Sequence, residues 1–330
     1  IIPAITSTEA FSAKEWIFFC EDETRINLKK LLAALSDYDP NKEWFLGKAL
    51  KDHSATIIHH FAFHNDPGKF LYPDFAAGFL LSRPLVHYIT HQLQSGNDRR
   101  EPGAFSIDPK HELAMYIWND GKGTPLTDVE FLCTIEKRGS CATTYKAIFP
   151  SCGRPVDDED MILAVKTCKK HHTDRVPIVK ETWGKESKSI EYLSEHADKS
   201  IPTIKVNAPN TEIGHCAKML AILKRAYTKY HDRHWFVVTD DDTIMSVTRL
   251  KKLLACYNHK DYVILGERYG YMVATGMGYD YITGGGGLVL SRHALHLVVD
   301  DKMCHCPQDD SPDDMILGMC FQRLNIPITH

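Results

Sequence analysis

Short apolar runs recur along the chain, each closed by a polar break and followed by a stretch with helical spacing. Trp16–Phe19 (WIFF) and residues 235–238 (WFVV) are strand-length runs that end in acidic residues. After the first come Leu28, Leu31, Leu32 and Leu35, and after the second Leu250, Leu253 and Leu254, at intervals that line one face of a helix. A second strand ends at Gly47 in one half and at Gly266 in the other. Only the second half carries more upstream: a strand over 161–166, a helix over 176–183 starting about Pro177, a strand over 201–206 and a long helix over 214–230. Strands alternating with helices predict an α/β fold whose ligands sit at the carboxyl ends of its strands.

The two halves also match in sequence. Residues 16–24 (WIFFCEDET) align with 235–243 (WFVVTDDDT), and 44–47 with 263–266. Residues 72–83 (YPDFAAGFLLSR) then meet 281–292 (YITGGGGLVLSR), and 125–127 meet 327–329. Anchors in one order, with length changes only between them, are the signature of an internal repeat. The expected organisation is a partial first copy over 1–127, a linker over 128–157 pinned by cysteines, and a second copy over 158–330 whose C-terminal end is expected beyond His330. The upstream half of the first copy is expected before Ile1.

Composition narrows the class. The chain has 330 residues, room for two domains, with 43% hydrophobic and 25% charged residues, ordinary for a globular protein. A net charge of −4 offers no basic footprint for nucleic acid, and no apolar run reaches the roughly 20 residues of a membrane span. The ten cysteines include no CxxC pair, which suits disulfides in an oxidising compartment. Cys304-His305-Cys306 alone lacks the ligand spacing of a zinc site.

The chemistry concentrates at Asp240, Asp241 and Asp242. Consecutive carboxylates at a strand end repel unless a cation offsets them, and Mg²⁺ or Mn²⁺ accepts such oxygen ligands while leaving positions for phosphate oxygens. The plainer alternative is that these residues cap a helix starting near Ser246. Asp313 and Asp314 follow Pro312 at an expected helix start; they are either dipole-complementary acids or a general base. Gly284, Gly285 and Gly286 permit close approach to a ligand, or form only a turn. Residues 166–175 (KTCKKHHTDR) are a basic loop fit for phosphate or for solvent.

Taken together, 164–167 (AVKT), Arg175, 181–183 (ETW), 240–242 (DDD), 283–286 (TGGG), 291–292 (SR) and 312–314 (PDD) resemble the Fringe-type β-1,3-glycosyltransferases. With WIFFCEDETR, EWFLGKAL, YPDFAAG, LGERYGY and PDDMILGMCF, the chain looks like the branch of that family that extends O-linked fucose on thrombospondin type 1 repeats. The resemblance implies two tandem GT-A-like (Rossmann-like) domains, the first degenerate. It implies an inverting, metal-dependent hexosyltransferase of the endoplasmic reticulum lumen, with Mn²⁺ (or Mg²⁺), UDP-glucose as donor and O-fucosylated thrombospondin repeats as acceptor. Asp242 and Asp240 are then the metal ligands, with Asp240 and Asp241 toward ribose and phosphates. Thr167 and Arg175 contact UDP, and Gly284, Gly285 and Gly286 line the sugar cleft. Asp314 is the base, with Asp313 second choice. A metal-binding histidine is expected beyond His330, which itself is not taken as a ligand. Two other readings stand beside this one: transfer of N-acetylglucosamine to O-fucosylated EGF repeats, or a lectin-like binder without catalysis.

The first copy departs from the motif set. It has Glu21, Asp22 and Glu23 for the three aspartates, Phe75-Ala76-Ala77 for the glycines, and His111 and Glu112 for Asp313 and Asp314. It is expected to be a non-catalytic scaffold.

Overall fold

The structure, a computed structural model, describes residues 2–8, 11, 13–95, 105–137, 139–273, 276–300, 302 and 304–329. The chain forms two units, 1–149 and 150–330.

In the first unit β1 (Trp16–Phe19), α1 (Leu28–Leu35), β2 (Phe45–Gly47), β3 (Phe79–Ser82), α2 (Arg83–Gln94), α3 (Pro109–Trp118) and β4 (Thr127–Asp128) follow in order. Asn27 starts α1 by accepting from the Lys30 amide, and Leu31 and Leu35 supply its buried face. The sheet order is β1-β3-β2-β4, antiparallel at the first two junctions and parallel at the last. The core gathers Phe45, Leu81 and Leu85.

The segment expected as a linker is largely folded into this unit. Thr143–Tyr145 pairs antiparallel with Thr24–Ile26, and a disulfide joins Cys133 to Cys141. Val129, Leu132 and Ala142 are buried with Leu31 and Leu46. Their apolar side chains give the segment a core to join, so the unit boundary falls after Phe149.

In the second unit the elements are β5 (Met161–Lys166), α4 (Val176–Glu181), β6 (Ile190–Ser194), β7 (Thr203–Lys205), α5 (Cys216–Lys229), β8 (Trp235–Asp240) and α6 (Val247–Leu254). Then come β9 (Ile264–Gly266), β10 (Arg268–Tyr271), β11 (Tyr279–Ile282), β12 (Leu288–Ser291), α7 (Arg292–Asp300) and α8 (Asp313–Arg323). The main sheet runs β7-β6-β5-β8-β12-β9. Its first four strands are parallel, and β12 is antiparallel to both neighbours. One sheet face packs Met219, Ile222 and Leu223 of α5 with residues of α7 and α8; the other packs Val179 of α4 and Leu254 of α6. Strands β6, β10 and β11 and helix α7 are absent from the hydrophobic pattern.

The strand pairings of the two units coincide residue for residue. Trp16 faces Ser82 and Trp235 faces Ser291; Gly47 faces Phe79 and Gly266 faces Leu288. Each strand is entered from a glycine in the left-handed region, Gly78 at φ 81° and Gly287 at φ 87°. Both serines are fully buried and join strand to helix, with Ser82 Oγ accepting from the Trp44 amide and Ser291 Oγ from the Val263 amide.

Disulfides join Cys133 to Cys141, Cys152 to Cys256 and Cys216 to Cys306. Cys20 and Cys168 carry free thiols. No helix among the described residues is long and apolar enough to cross a membrane.

Candidate active site

Parallel pairing of β5 with β8 sets Lys166 beside Asp240 at the carboxyl ends of both strands. Five of the six residues of β8 are buried, and the strand ends by delivering Asp240 to the sheet edge. The next two residues diverge, with Asp241 buried and Asp242 exposed. None of the three caps the following helix: Ser246 does so, accepting from the Arg249 amide. Thr243 holds the turn instead, accepting from the Asp240 amide at 3.2 Å and donating to the Gly285 carbonyl at 3.0 Å.

The carboxylates are arranged by cations and hydroxyls from β5 and the loop after it. Thr167 Oγ1 donates to Asp241 Oδ2 at 2.7 Å. Arg175 Nη1 spans Asp241 Oδ1 at 3.0 Å and Asp242 Oδ2 at 2.8 Å. Thr167 and Arg175, expected on the nucleotide, therefore engage the aspartates here. Lys166 Nζ lies 3.1 Å from Asp240 Oδ1 and 2.6 Å from Asp313 Oδ2. Burial alone would push this lysine down, but Asp240 and Asp313 more than offset that and hold it above its ordinary value. Asp240 is pushed up by burial, against the pull of Lys166.

Helix α8 carries Asp313 and Asp314 in its first turn, after Pro312. The Met315 amide donates to Asp314 Oδ1 at 2.8 Å and the Gly284 amide to Oδ2 at 3.4 Å. Burial, reinforced by the charge of Asp313, raises Asp314 above the usual carboxylate value. Residues 284–286 form a single 3-10 turn. A Cβ on Gly284 would come 3.8 Å from Asp240 Oδ2, and one on Gly285 would meet nothing within 4 Å, so the turn keeps open space above the acids.

Lys166, Thr167, Arg175 and Asp240 to Asp242 border a cavity of about 540 Å³ that also includes Cys168, Asn210, His215 and Lys218, while Asp313, Asp314 and the glycine turn are not part of its lining. Its walls are polar, and burial together with Lys166 lowers His215. Asn210, His215 and Lys218 were not legible as site residues, since none lies in an acidic, glycine-rich or basic cluster.

The donor set suits a hard divalent ion shared with a ligand. Asp240, Asp241, Asp242 and Asp313 face only Lys166 and Arg175, so negative charge remains for a cation to offset. Among the described residues no three metal-binding side chains converge on one point. Asp242 and Asp240 can thus supply part of a coordination shell that phosphate oxygens complete. His330 lies outside the described residues.

In the first unit the matching positions are spent. Glu23 accepts from Tyr145 Oη at 2.8 Å and the Ile148 amide at 2.7 Å, and that hydrogen bond, with burial, lifts Tyr145 to about 12. Glu112 accepts from the Ile107 amide at 2.6 Å. Phe75 packs on Phe79 where glycine leaves space in the second unit. His111 stacks on His59 at 4.0 Å between ring centroids, and His59 meets Asp52 at 2.6 Å and Asp108 at 3.1 Å.

A largely parallel α/β sheet with an acidic cluster at the carboxyl ends of its strands, beside a polar cavity, is the arrangement in which α/β proteins place their ligands. The Fringe-like family model matches residues 4–104 and 156–330. The chain belongs to the Fringe-like family. It is 54% identical over 316 residues to the human beta-1,3-glucosyltransferase and 51% identical to that of mouse. Each match covers 96% of this chain, and 62% and 64% of the respective relative, so the chain spans under two thirds of their length. It is also 28% identical to the beta-1,3-N-acetylglucosaminyltransferase lunatic fringe of Xenopus laevis, over 61% of each chain.

Proposed function

We propose that the protein is an inverting β-1,3-glucosyltransferase that moves glucose from UDP-glucose to O-linked fucose on thrombospondin type 1 repeats. The observation carrying this is the match at 54% and 51% identity to proteins named beta-1,3-glucosyltransferase, across 96% of this chain. The nucleotide and acceptor identities rest on the motif resemblance. The disulfides favour an oxidising compartment, here the endoplasmic reticulum lumen.

Asp314 is the base and the cavity at Asp240 holds the donor diphosphate. The fucose 3-hydroxyl gives its proton to Asp314 as its oxygen bonds to the glucose anomeric carbon. The bond from that carbon to UDP breaks on the opposite face, and UDP leaves with the electron pair. Such a base contributes about 10²–10⁴-fold. Asp242 and Asp240 would hold Mn²⁺ or Mg²⁺, which when bound would stabilise the departing negative charge. Lys166 and Arg175 keep the carboxylates in place around it.

The coincident strand register supports reading the first unit as a degenerate copy of the second. With Glu23 and Glu112 bonded internally, it serves as a scaffold or acceptor platform.

Incubation with UDP-glucose, Mn²⁺ and a fucosylated thrombospondin repeat tests the reading. Glucose transfer that Asp314→Ala abolishes is expected. Transfer of N-acetylglucosamine to a fucosylated EGF repeat, or binding of the repeat without turnover, would replace it with one of the rival readings.

A further inference from the structure

Helix α5 buries a cation that the proposed mechanism does not use. Lys218 is 1% exposed. Its ammonium has three acceptors: the Thr167 carbonyl at 3.1 Å, Glu195 Oε2 at 3.0 Å and Asn210 Oδ1 at 2.6 Å. Three N–H donors meet three acceptors, which is the condition under which a buried ammonium is tolerated. Glu195 is fixed in turn by the Lys169 amide at 2.9 Å. Against the desolvation of burial, these amides and Lys218 hold it at about 2.

The three acceptors come from three separate segments. Thr167 follows β5, Glu195 follows β6, and Asn210 belongs to the loop before α5. Thr167 and Asn210 both line the cavity of the candidate site. Thr167 is the same residue whose hydroxyl holds Asp241 at 2.7 Å. A buried lysine costs several kcal/mol in desolvation unless it is fully bonded. The charge is therefore placed for the cavity walls.

We infer that Lys218 is a positioning residue: its ammonium ties the strand end that orients Asp241 to the loop that forms the opposite wall, and so sets the width of the donor pocket. This rests on the reading of the cavity as a nucleotide-sugar site. Because Lys218 acts through Thr167 and Asn210, its loss moves donor binding before it moves the chemical step.

The test pairs Lys218→Met with Glu195→Gln, so that no unpaired charge stays buried, and adds Asn210→Leu, a change at an exposed position. Two quantities are read on the whole protein, with melting temperature as control: the Kd for UDP with Mn²⁺, and the alkylation rate of Cys168 without nucleotide, followed by peptide mass spectrometry. Cys168 carries a free thiol on the same cavity, so its rate reports wall geometry. Both variants are expected to keep their fold, weaken UDP about tenfold, and change the Cys168 rate at least fivefold, tenfold being 1.4 kcal/mol. A folded variant with wild-type UDP affinity and wild-type Cys168 rate overturns the inference. If the wild-type protein itself fails to bind UDP, the donor-site reading falls, and the Cys168 rate alone then decides the role of Lys218. If the paired variant does not fold, Asn210→Leu gives the same two readouts.

Discussion

Lys166 Nζ lies 2.6 Å from Asp313 Oδ2 while Asp314, one residue on, receives only backbone amides. Neighbouring carboxylates on one helix turn are thereby made unequal, one neutralised by a buried ammonium and the other left open to take a proton. Removing the ammonium strands Asp240 and Asp313. Lys166→Met is expected to destabilise the second unit by about 3–5 kcal/mol and to lower kcat/KM. Urea titration checks this, and adding Asp313→Asn should return most of the lost stability. An unchanged midpoint in the single variant would show the pair to be energetically idle.

Asp314 titrates above the ordinary carboxylate value because it is buried beside Asp313. In the proposed reaction Asp314 must be ionised to act as base, so activity is expected to be lost as pH falls through that raised value. The acid limb of kcat/KM is expected above the usual Asp range. Asp313→Asn, which removes the neighbouring charge, should move that limb to lower pH. Asp314→Asn should cost about 10²–10⁴-fold at neutral pH.

His111 makes the first unit acid-sensitive. Burial, with the adjacent His59, lowers it to about 4. Below about 6.5 the unfolded chain takes up a proton that the folded unit refuses, so stability declines from there down to about 4, by at most about 3 kcal/mol. Hydrogen exchange of the unit's core amides at pH 7 and pH 4.5 reads the loss. His111→Phe keeps a stacked ring without the proton and is expected to flatten the dependence. An equal pH response in that variant would assign the sensitivity elsewhere.

The Cys152–Cys256 disulfide spans 104 residues of sequence and ties the start of the second unit to the end of α6. A loop of that length restrains the unfolded chain by up to about 4.7 kcal/mol on the chain-entropy model. The Cys152→Ala/Cys256→Ala variant should therefore melt earlier while binding UDP normally. Weakened UDP binding at a temperature where the variant is folded would contradict this.

The acids at 240–242 and 313–314 were legible because strand-end and helix-start signals are local, and the repeat isolated the copy that kept them. Strand β6 was not, since IEYLS mixes a charge and a hydroxyl into five residues. Lys218 reads as an ordinary helix lysine, and its partners lie 8, 23 and 51 residues away. The same holds for His59, whose partner Asp108 lies 49 residues on. Pairings of this kind are set by topology, and no local pattern announces them. The thiols show the same limit: cysteine spacing indicated an oxidising compartment but not that Cys168 stays reduced inside the cavity.

The Cys216–Cys306 bond joins the first residue of α5 to the segment that leads into α8. Nearby, the Cys216 amide donates to the Ser311 carbonyl and the Ala217 amide to that of Asp309. Asp313 and Asp314 follow within a few residues, and Lys218 lies two residues past Cys216. One covalent link therefore ties the wall of the cavity to the segment leading into the helix that carries Asp314. The strand pairings of the sheet involve no sulfur, whereas this seam is held by one disulfide and two backbone hydrogen bonds. Reduction would therefore act on the candidate site at this seam and leave the strand pairing of the sheet untouched.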